Sequence, residues 1–492
     1  MAIKSFITKY PLFLLLLPVF FVFHGFTENY NFVPVKDALL LTGIYLLASI
    51  IILLVGRLIF KNWRKAALLT FLLMAFHFFF GSIQDGLRNY FPGSFLSKYV
   101  FILPAFFLLL LFLFICLKKT NKPLQKLVFY LNLLLLLFIA IDIISLAGKI
   151  NRSQKDAAIV LSKEFTACDS CPKPDFYVII CDEYAGNTEL KDIFNFDNTA
   201  FLDQLGERDF HVIPNSTSNY NYTPYSIAST LDMSYLDLHP NADQPLLAQT
   251  YEITRSNKLL QFLQYHQYKF YNYSLVDFKG EPAHTRETFL PVKTRLITSQ
   301  TFISRMDKEL RYHLVTWFKS KQALRENTYN TKQNNETLIP LLLKTASEKT
   351  TQPKFVLTHL MMPHYPYYFD KEGHEFPFDQ LTEGNQYNQK NYIEYLQYGN
   401  KKILSIIDHI LKNSTTPPVI VLMGDHGFRH FTTPIDPRYY FYNMVAVRLP
   451  NQQYTAFGDS LTNVNLFRTV LNSTFKQHLP YLKDTAIIME NP

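Results

Sequence analysis

Val419-Ile420-Val421-Leu422-Met423-Gly424-Asp425-His426-Gly427-Phe428-Arg429 is the stretch that decides the fold. Five apolar residues in a row, three of them β-branched, suit a strand buried on both faces of a parallel sheet. Gly-Asp-His-Gly follows directly, where open α/β sheets place ligands, at the carboxyl ends of their strands. Upstream, Tyr392–Leu411 carries apolar residues at helical spacing (Ile393, Leu396, Ile403, Ile407, Ile410), and Asn413–Pro418 reads as a turn. Downstream, a strand is expected at Tyr442–Val447 and a helix at Val464–Leu471.

Working outward, Phe176–Cys181 is a second continuous apolar run, again followed by acids, Asp182 and Glu183. Helical patterns at Thr199–Leu205 and Lys258–Tyr265 precede strand patterns at Phe210–Ile213 and Phe270–Tyr273, and Phe355–Thr358 is a further strand. Alternation of this kind predicts an α/β layered domain around a mostly parallel sheet. The stretch Glu281–Asn335 follows no clear period and reads as an insertion.

The first third of the 492 residues is different in kind. Apolar runs near Pro11–Phe26, Ala38–Val55, Ala66–Ile83, Tyr99–Leu117 and Leu127–Leu146 each approach the roughly 20 residues that cross a bilayer as a helix. The third run, with His77 and Gly81, is the weakest and also fits a tilted or re-entrant segment. Lys4, Lys9, Arg57, Lys61, Arg64, Lys65, Lys118, Lys119, Lys122 and Lys126 fall on one side, and only Lys36, Arg88 and Lys98 on the other. Positive loops stay cytoplasmic, so the N-terminus is expected inside and the chain beyond residue 150 outside. The first run lacks a small-x-small cleavage site and is followed by further spans, so it does not read as a cleaved signal peptide. The expected organisation is a membrane domain over 1–150, a juxtamembrane linker over 151–174 and a catalytic domain over 175–492.

The formal net charge of +8 is explained by these loops and does not call for nucleic acid. Four cysteines are present. Cys116 and Cys181 lie in apolar runs and are expected as buried thiols. Cys168 and Cys171 form a lone C-x2-C without a second pair of zinc ligands; outside the cytoplasm a local disulfide fits, and two unpaired thiols are the alternative.

Asp425 and His426 offer the oxygen and nitrogen donors that zinc or manganese accept. Adjacent strand residues face opposite ways, so both meet one ion only if the chain turns, which Gly424 and Gly427 would permit. By itself the motif equally fits an acid that caps a turn. Thr223-Pro224 opens the helical stretch Pro224–Leu231, since threonine suits the position before a helix and proline its first residue. The same place brings a hydroxyl to backbone N–H groups that favour phosphate, and metal coordination would activate it as a nucleophile. His364, in a loop stiffened by Pro363 and Pro366, is a candidate to protonate a leaving group or hold a phosphate oxygen. His359, Arg429 and His430 are candidates for contact with an anionic substrate, His359 the more structural of them. Each of these residues alone also has an ordinary structural role.

Together these stretches resemble the membrane-bound sulfatase-like transferases of the alkaline phosphatase superfamily, such as lipoteichoic acid synthases and phosphoethanolamine transferases. The resembling motifs are Tyr177–Gly186 (YVIICDEYAG), Ser218–Met233 (SNYNYTPYSIASTLDM), His359–Asp370 (HLMMPHYPYYFD) and Val421–Arg429 (VLMGDHGFR). The resemblance implies an alkaline-phosphatase-like catalytic domain and one divalent metal ion, zinc or manganese, on Asp182, Thr223, Asp425 and His426. It implies Thr223 as nucleophile and His364 near the transferred phosphate. The reaction implied moves a phospho-head-group of the phosphoethanolamine or phosphoglycerol type from a phospholipid donor to a lipid or glycan acceptor, through a phospho-threonine. The place implied is the outer face of a bacterial inner membrane. Phe428 stands where many of these transferases carry an acid, no Cys/Ser-x-Pro-x-Arg surrounds Thr223, and no Asp-x3-His set for a second metal is visible. A hydrolase using water at the same site, and a receptor or scaffold without catalysis, are the alternatives. Donor, acceptor and oligomeric state are not legible in the residues.

Overall fold

The computed structural model describes residues 2–30, 32–91, 93–153, 161–168, 170–239, 246–284, 290–307, 321–382 and 384–489. The chain divides into two compact units, Met1–Ala157 with Thr288–Ser320, and Ala158–Glu287 with Lys321–Pro492.

The first unit is a helix bundle: α1 (Ala2–Lys9), α2 (Phe13–Glu28), α3 (Val35–Phe60), α4 (Trp63–Tyr90), α5 (Tyr99–Lys119) and α6 (Gln125–Ser153). Four helices are long and apolar enough to cross a membrane, Val35–Phe60, Trp63–Tyr90, Tyr99–Lys119 and Gln125–Ile150, while α2 is apolar but shorter. The weak third run is one continuous helix, α4. Gly81 does not break it; there the main chain of Gln300 packs against the helix, with Gly81 N–H donating to Gln300 O at 2.8 Å. A Cβ at 81 would lie 2.7 Å from that oxygen, so only glycine leaves the room. Ile297 joins Phe21, Leu41 and Phe78 in the bundle core. Phe302 packs on Phe76 and Phe80, and Arg305 pairs with Asp85 at 2.5 Å. Within the expected domain over 175–492, Thr288–Ser320 groups with the helices, to which Ile297 and Phe302 give their side chains. Cys116 is exposed on α5 rather than buried, because that helix turns most of its side chains outward.

The second unit is built on a six-stranded sheet, β1 (Phe176–Cys181), β2 (His211–Ile213), β3 (Lys269–Tyr273), β4 (Lys354–Leu360), β5 (Val419–Gly424) and β6 (Val445–Arg448), in the order β2-β6-β5-β1-β4-β3. β1, β3, β4 and β5 run parallel; β6 is antiparallel to both β5 and β2. Successive side chains point to opposite faces, and both faces are covered. Val178, Ile180, Val421 and Met423 meet Phe467 and Leu471 on one side. Tyr177, Ile179, Ile420 and Leu422 meet Leu396, Ile403 and Ile407 of helix Gln389–Asn413 on the other. This double covering is why the strands read as unbroken apolar runs. Part of the expected linker belongs here too. Phe165 and Cys171 are buried in the same core, Thr166 exchanges two hydrogen bonds with Gln477, and Cys168 is disulfide-bonded to Cys171. Residues 154–160 of that linker lie outside the described residues.

Candidate active site and metal centre

Parallel pairing puts Cys181 level with Leu360 on one side and with Gly424 on the other. Asp182 and Asp425, each the first residue past its strand, therefore leave the sheet at one edge. The glycines at this edge answer a need for space. A Cβ on Gly424 would lie 2.5 Å from Tyr184 O, and one on Gly427 2.3 Å from Tyr439 O. Neither has a positive φ. The unusual backbone is at Glu183, φ 59°, a region sparsely used by residues with side chains. That twist lets Glu183 N–H donate to Asp425 Oδ1 at 2.9 Å, which also accepts from His426 N–H at 3.0 Å. One oxygen of Asp425 thus fixes the turn and the other, Oδ2, finds no hydrogen-bond partner among the described residues.

Thr223 begins the helix Thr223–Asp232, with Pro224 in its first turn. Ser226, one turn on, donates from Oγ to Asp425 O at 2.5 Å and ties this helix to the Asp-His-Gly loop. Thr223 Oγ1 comes to 3.2 Å from His426 Nε2 and 3.5 Å from Asp182 Oδ2. His426 Nδ1 lies 2.7 Å from Gly427 O, and since a carbonyl only accepts, Nδ1 carries the proton. In the neutral ring Nε2 is then a lone pair facing Thr223 and, at 3.3 Å, Asp425 Oδ2. A histidine fixed through its other nitrogen by a carbonyl is the usual support of a metal ligand.

Asp182, Asp425 and His426 bring their ligand atoms within 4.8 Å of one another, all three buried. Asp182 Oδ1, like Asp425 Oδ2, lacks a hydrogen-bond donor among the described residues. Two carboxylate oxygens without donors beside an imidazole lone pair are costly in a buried place. A divalent cation that takes oxygen and nitrogen would satisfy all three, so the residues fit zinc or manganese. Burial alone would raise the Asp182 pKa, but the neighbouring charge of His364, then the hydrogen bond from His359 and the charges of His359 and His426, outweigh it and hold the carboxyl well below its usual range. Burial lowers His426 from its ordinary value against the pull of Asp425. Both directions leave the donors ready to ligate, the acid ionised and the imidazole neutral.

Beside this group stands a second one, which brings the expected site residues His364 and His430 together with Glu183, also with ligand atoms within 4.8 Å of one another. Glu183 is fully buried, whereas the two histidine side chains are 23% exposed. His364 Nδ1 lies 2.5 Å from Tyr365 O, so Nδ1 donates there and Nε2 points to Asp182 Oδ1 at 4.0 Å. The bonds Met362–Pro363 and Tyr365–Pro366 on either side of it are both cis. His430 Nε2 is 3.4 Å from Glu183 Oε1, and burial, with the charges of His364 and Arg429, lowers it to about 3. Glu183 is raised, chiefly by burial. The Arg429 guanidinium lies 4.4 Å over the ring of Tyr222, the residue before the candidate nucleophile, and its Nε is 3.9 Å from Glu183 Oε1.

His359 occupies a different place from the other candidates. It is fully buried on β4 with Nε2 2.9 Å from Asp182 Oδ2, behind the carboxylate. That location suits orientation of Asp182. Glu189 was also missed. It is fully buried, accepts from Phe428 N–H at 3.3 Å through Oε2, and sits 2.6 Å from where a Cβ on Gly427 would be. Burial raises its pKa well above the ordinary value. A single glutamate in Asn187–Phe194 gives no hint in the sequence that it will lie under this loop.

No protein-family model matches the chain, and no curated protein matches it. Solved structures do. The chain is similar to the C-terminal periplasmic domain of EcEptC from Escherichia coli, with 15% identity and a TM-score of 0.39 over 66% of this chain and 91% of that one. It is similar to the same domain in complex with Zn, at 14% identity and a TM-score of 0.38 over 64% of this chain and 86% of that one. A putative sulfatase, yidJ from Bacteroides fragilis, gives 14% identity and a TM-score of 0.39 over 64% and 77%. At such identities and scores, what this site can do follows from its own donors and distances.

Proposed function

We propose that this chain is a membrane-anchored, metal-dependent enzyme that transfers a phospho-head-group from a phospholipid to a lipid or glycan acceptor through a phosphoester on Thr223. The observation that carries the reading is the hydroxyl of Thr223 at a helix start, 3.2 Å from His426 Nε2 and 3.5 Å from Asp182 Oδ2. Asp182, Asp425, His426 and Thr223 would hold one zinc or manganese ion, which supplies positive charge for the threonine alkoxide and the phosphoryl oxygens.

Thr223 Oγ attacks phosphorus, its proton passing to solvent, while the bond from phosphorus to the lipid oxygen breaks. His364, protonated at Nε2, gives that proton to the leaving alkoxide. The acceptor hydroxyl then loses its proton to His364 Nε2 and attacks the phosphothreonine, and Thr223 Oγ leaves and takes a proton back from solvent. Summed, a donor ester and an acceptor alcohol become a donor alcohol and an acceptor ester. Arg429 and His430, which both approach Glu183, would hold phosphoryl oxygens. The helices with a span's length and apolarity support a substrate drawn from the bilayer. The positive loops between them support an outward-facing catalytic unit at a bacterial inner membrane.

The test is the mass of the Thr223 peptide after the zinc-loaded protein is mixed with membrane phospholipids and quenched in acid. An added head-group mass supports transfer and names the group. An unmodified peptide from protein that still cleaves model phosphodiesters replaces transfer with direct hydrolysis.

A further inference from the structure

The segment that leads into Thr223 is held by two different parts of the chain. Residues 216–218 are tied to the body: Ser218 N–H donates to Phe441 O at 2.7 Å, Thr217 N–H to Leu461 O at 3.2 Å, and Thr217 O accepts from Asn463 N–H at 3.0 Å. From Asn219 onward half of the hydrogen bonding passes to residues 485–489, while Asn219 Oδ1 still accepts from Val464 N–H of the body at 2.7 Å. Ile487 N–H donates to Asn219 O at 2.9 Å, and Tyr220 and Ile487 pair as in a parallel ladder. Asn219 Nδ2 donates to Thr485 O at 2.9 Å. Two residues before Thr223, the carboxamide of buried Asn221 copies a strand partner, with Met489 N–H to Oδ1 at 2.7 Å and Nδ2 to Met489 O at 3.2 Å. Tyr235 closes the other end, accepting from Thr485 N–H at 2.8 Å and donating to Lys483 O at 2.7 Å. Asp484 anchors the strap to the body through Thr462 at 2.7 Å and Asn465 at 3.1 Å.

We propose that the C-terminal strap, residues 484–489, positions the nucleophile. It acts as an added edge strand whose pairing with 219–221 fixes where Thr223 Oγ1 stands between His426 and Asp182. Nothing in the strap touches the reacting atoms, so it is a positioning element, with Asn221 its contact on the active-site side. A misplacement of about 1 Å at a reacting atom costs about a hundredfold in rate, which is the scale of effect expected. The proposal rests on Thr223 being the nucleophile of the function proposed above.

The experiment compares the full-length zinc-loaded protein with a chain ending at Asp484, with Asn221→Ala and with Asn221→Asp. Two quantities are read: kcat and KM on a phosphodiester well below the melting temperature, and amide hydrogen exchange of the peptide covering 219–226. The shortened chain and Asn221→Ala are expected to lose about tenfold to a hundredfold in kcat with KM and zinc content unchanged. Exchange at 219–226 should rise in both. Asn221→Asp keeps the acceptor for Met489 N–H and should recover part of the loss. Unchanged kcat with only a lower melting temperature, or unchanged exchange at 219–226, overturns the proposal. If the full-length protein turns nothing over, the transfer reading fails on its own, and the exchange comparison alone decides the strap.

Discussion

Two groups of donors lie side by side at the edge of one sheet, and they are built differently. Asp182, Asp425 and His426 are wholly buried, their backbone fixed by β1, β5 and the hydrogen bonds of Asp425 Oδ1. Glu183, His364 and His430 share the same neighbourhood, but two of the three reach from loops and keep contact with solvent. A rigid buried set keeps an ion through every turnover, whereas a half-open set with movable protons suits groups that come and go. On the function proposed above, the first group is the one expected to hold a resident metal and the second the one expected to handle substrate.

The largest effect that would sharpen this contrast is expected from Thr223→Ala, which should bring turnover to the background. Its stability should fall by no more than about 1 kcal/mol, the scale of a helix-end hydroxyl; turnover near the full-length protein's would remove Thr223 as nucleophile. Next comes metal content, read by mass spectrometry of the dialysed protein. Asp425→Asn should lower zinc affinity by more than the about 10–100-fold typical of outer partners, while Glu183→Gln keeps a stoichiometric ion. The reverse pattern would exchange the roles of the two groups. His364→Ala should lower kcat by about 10²–10⁴ at unchanged zinc content, as loss of a proton-transfer group does. A loss of zinc in that variant would break the division between the groups.

The smallest effect concerns Glu189, beneath the loop that joins both groups. Its carboxyl is raised by burial above the ordinary 4.5. Below that value the folded and unfolded chains are both protonated there and its contribution to stability is whole. As pH rises past it the unfolded chain ionises first, so stability is lost progressively. Glu189→Gln cannot ionise and keeps an acceptor for Phe428 N–H. Its melting temperature should match the parent's near about pH 4 and exceed it by a few degrees near about pH 8. A parallel fall of both proteins across that range would show Glu189 to be ionised in place.

Much of the α/β unit was legible because its strands are covered on both faces. Val419–Met423 and Phe176–Cys181 are unbroken apolar runs for that reason, and the residues just past them are where chemistry concentrates. Helix Lys258–Tyr265 has the bounds that its spacing suggested. What was not legible depends on distant pairings with no local period. His364 and His430 approach Glu183 from loops far apart in the chain, and the strap meets Asn219 and Asn221 through its own backbone groups, which leave no mark on its side-chain pattern. Residues 290–307 gave no period because Ile297 and Phe302 fill niches in the helix bundle, with neighbours that the local sequence does not contain.

That last association governs how the protein can be made. The place on α4 at Gly81 is filled by the main chain of Gln300, more than two hundred residues later. A helix bundle of this design is incomplete when its last helix leaves the ribosome, and it waits with an open notch while half of the next unit is still being synthesised. A fragment cut to begin at 158 inherits the mirror-image fault, since it carries Ile297 and Phe302 without the helices that cover them. Separating the two halves of this chain therefore needs a deletion in the middle as well as a cut near the front.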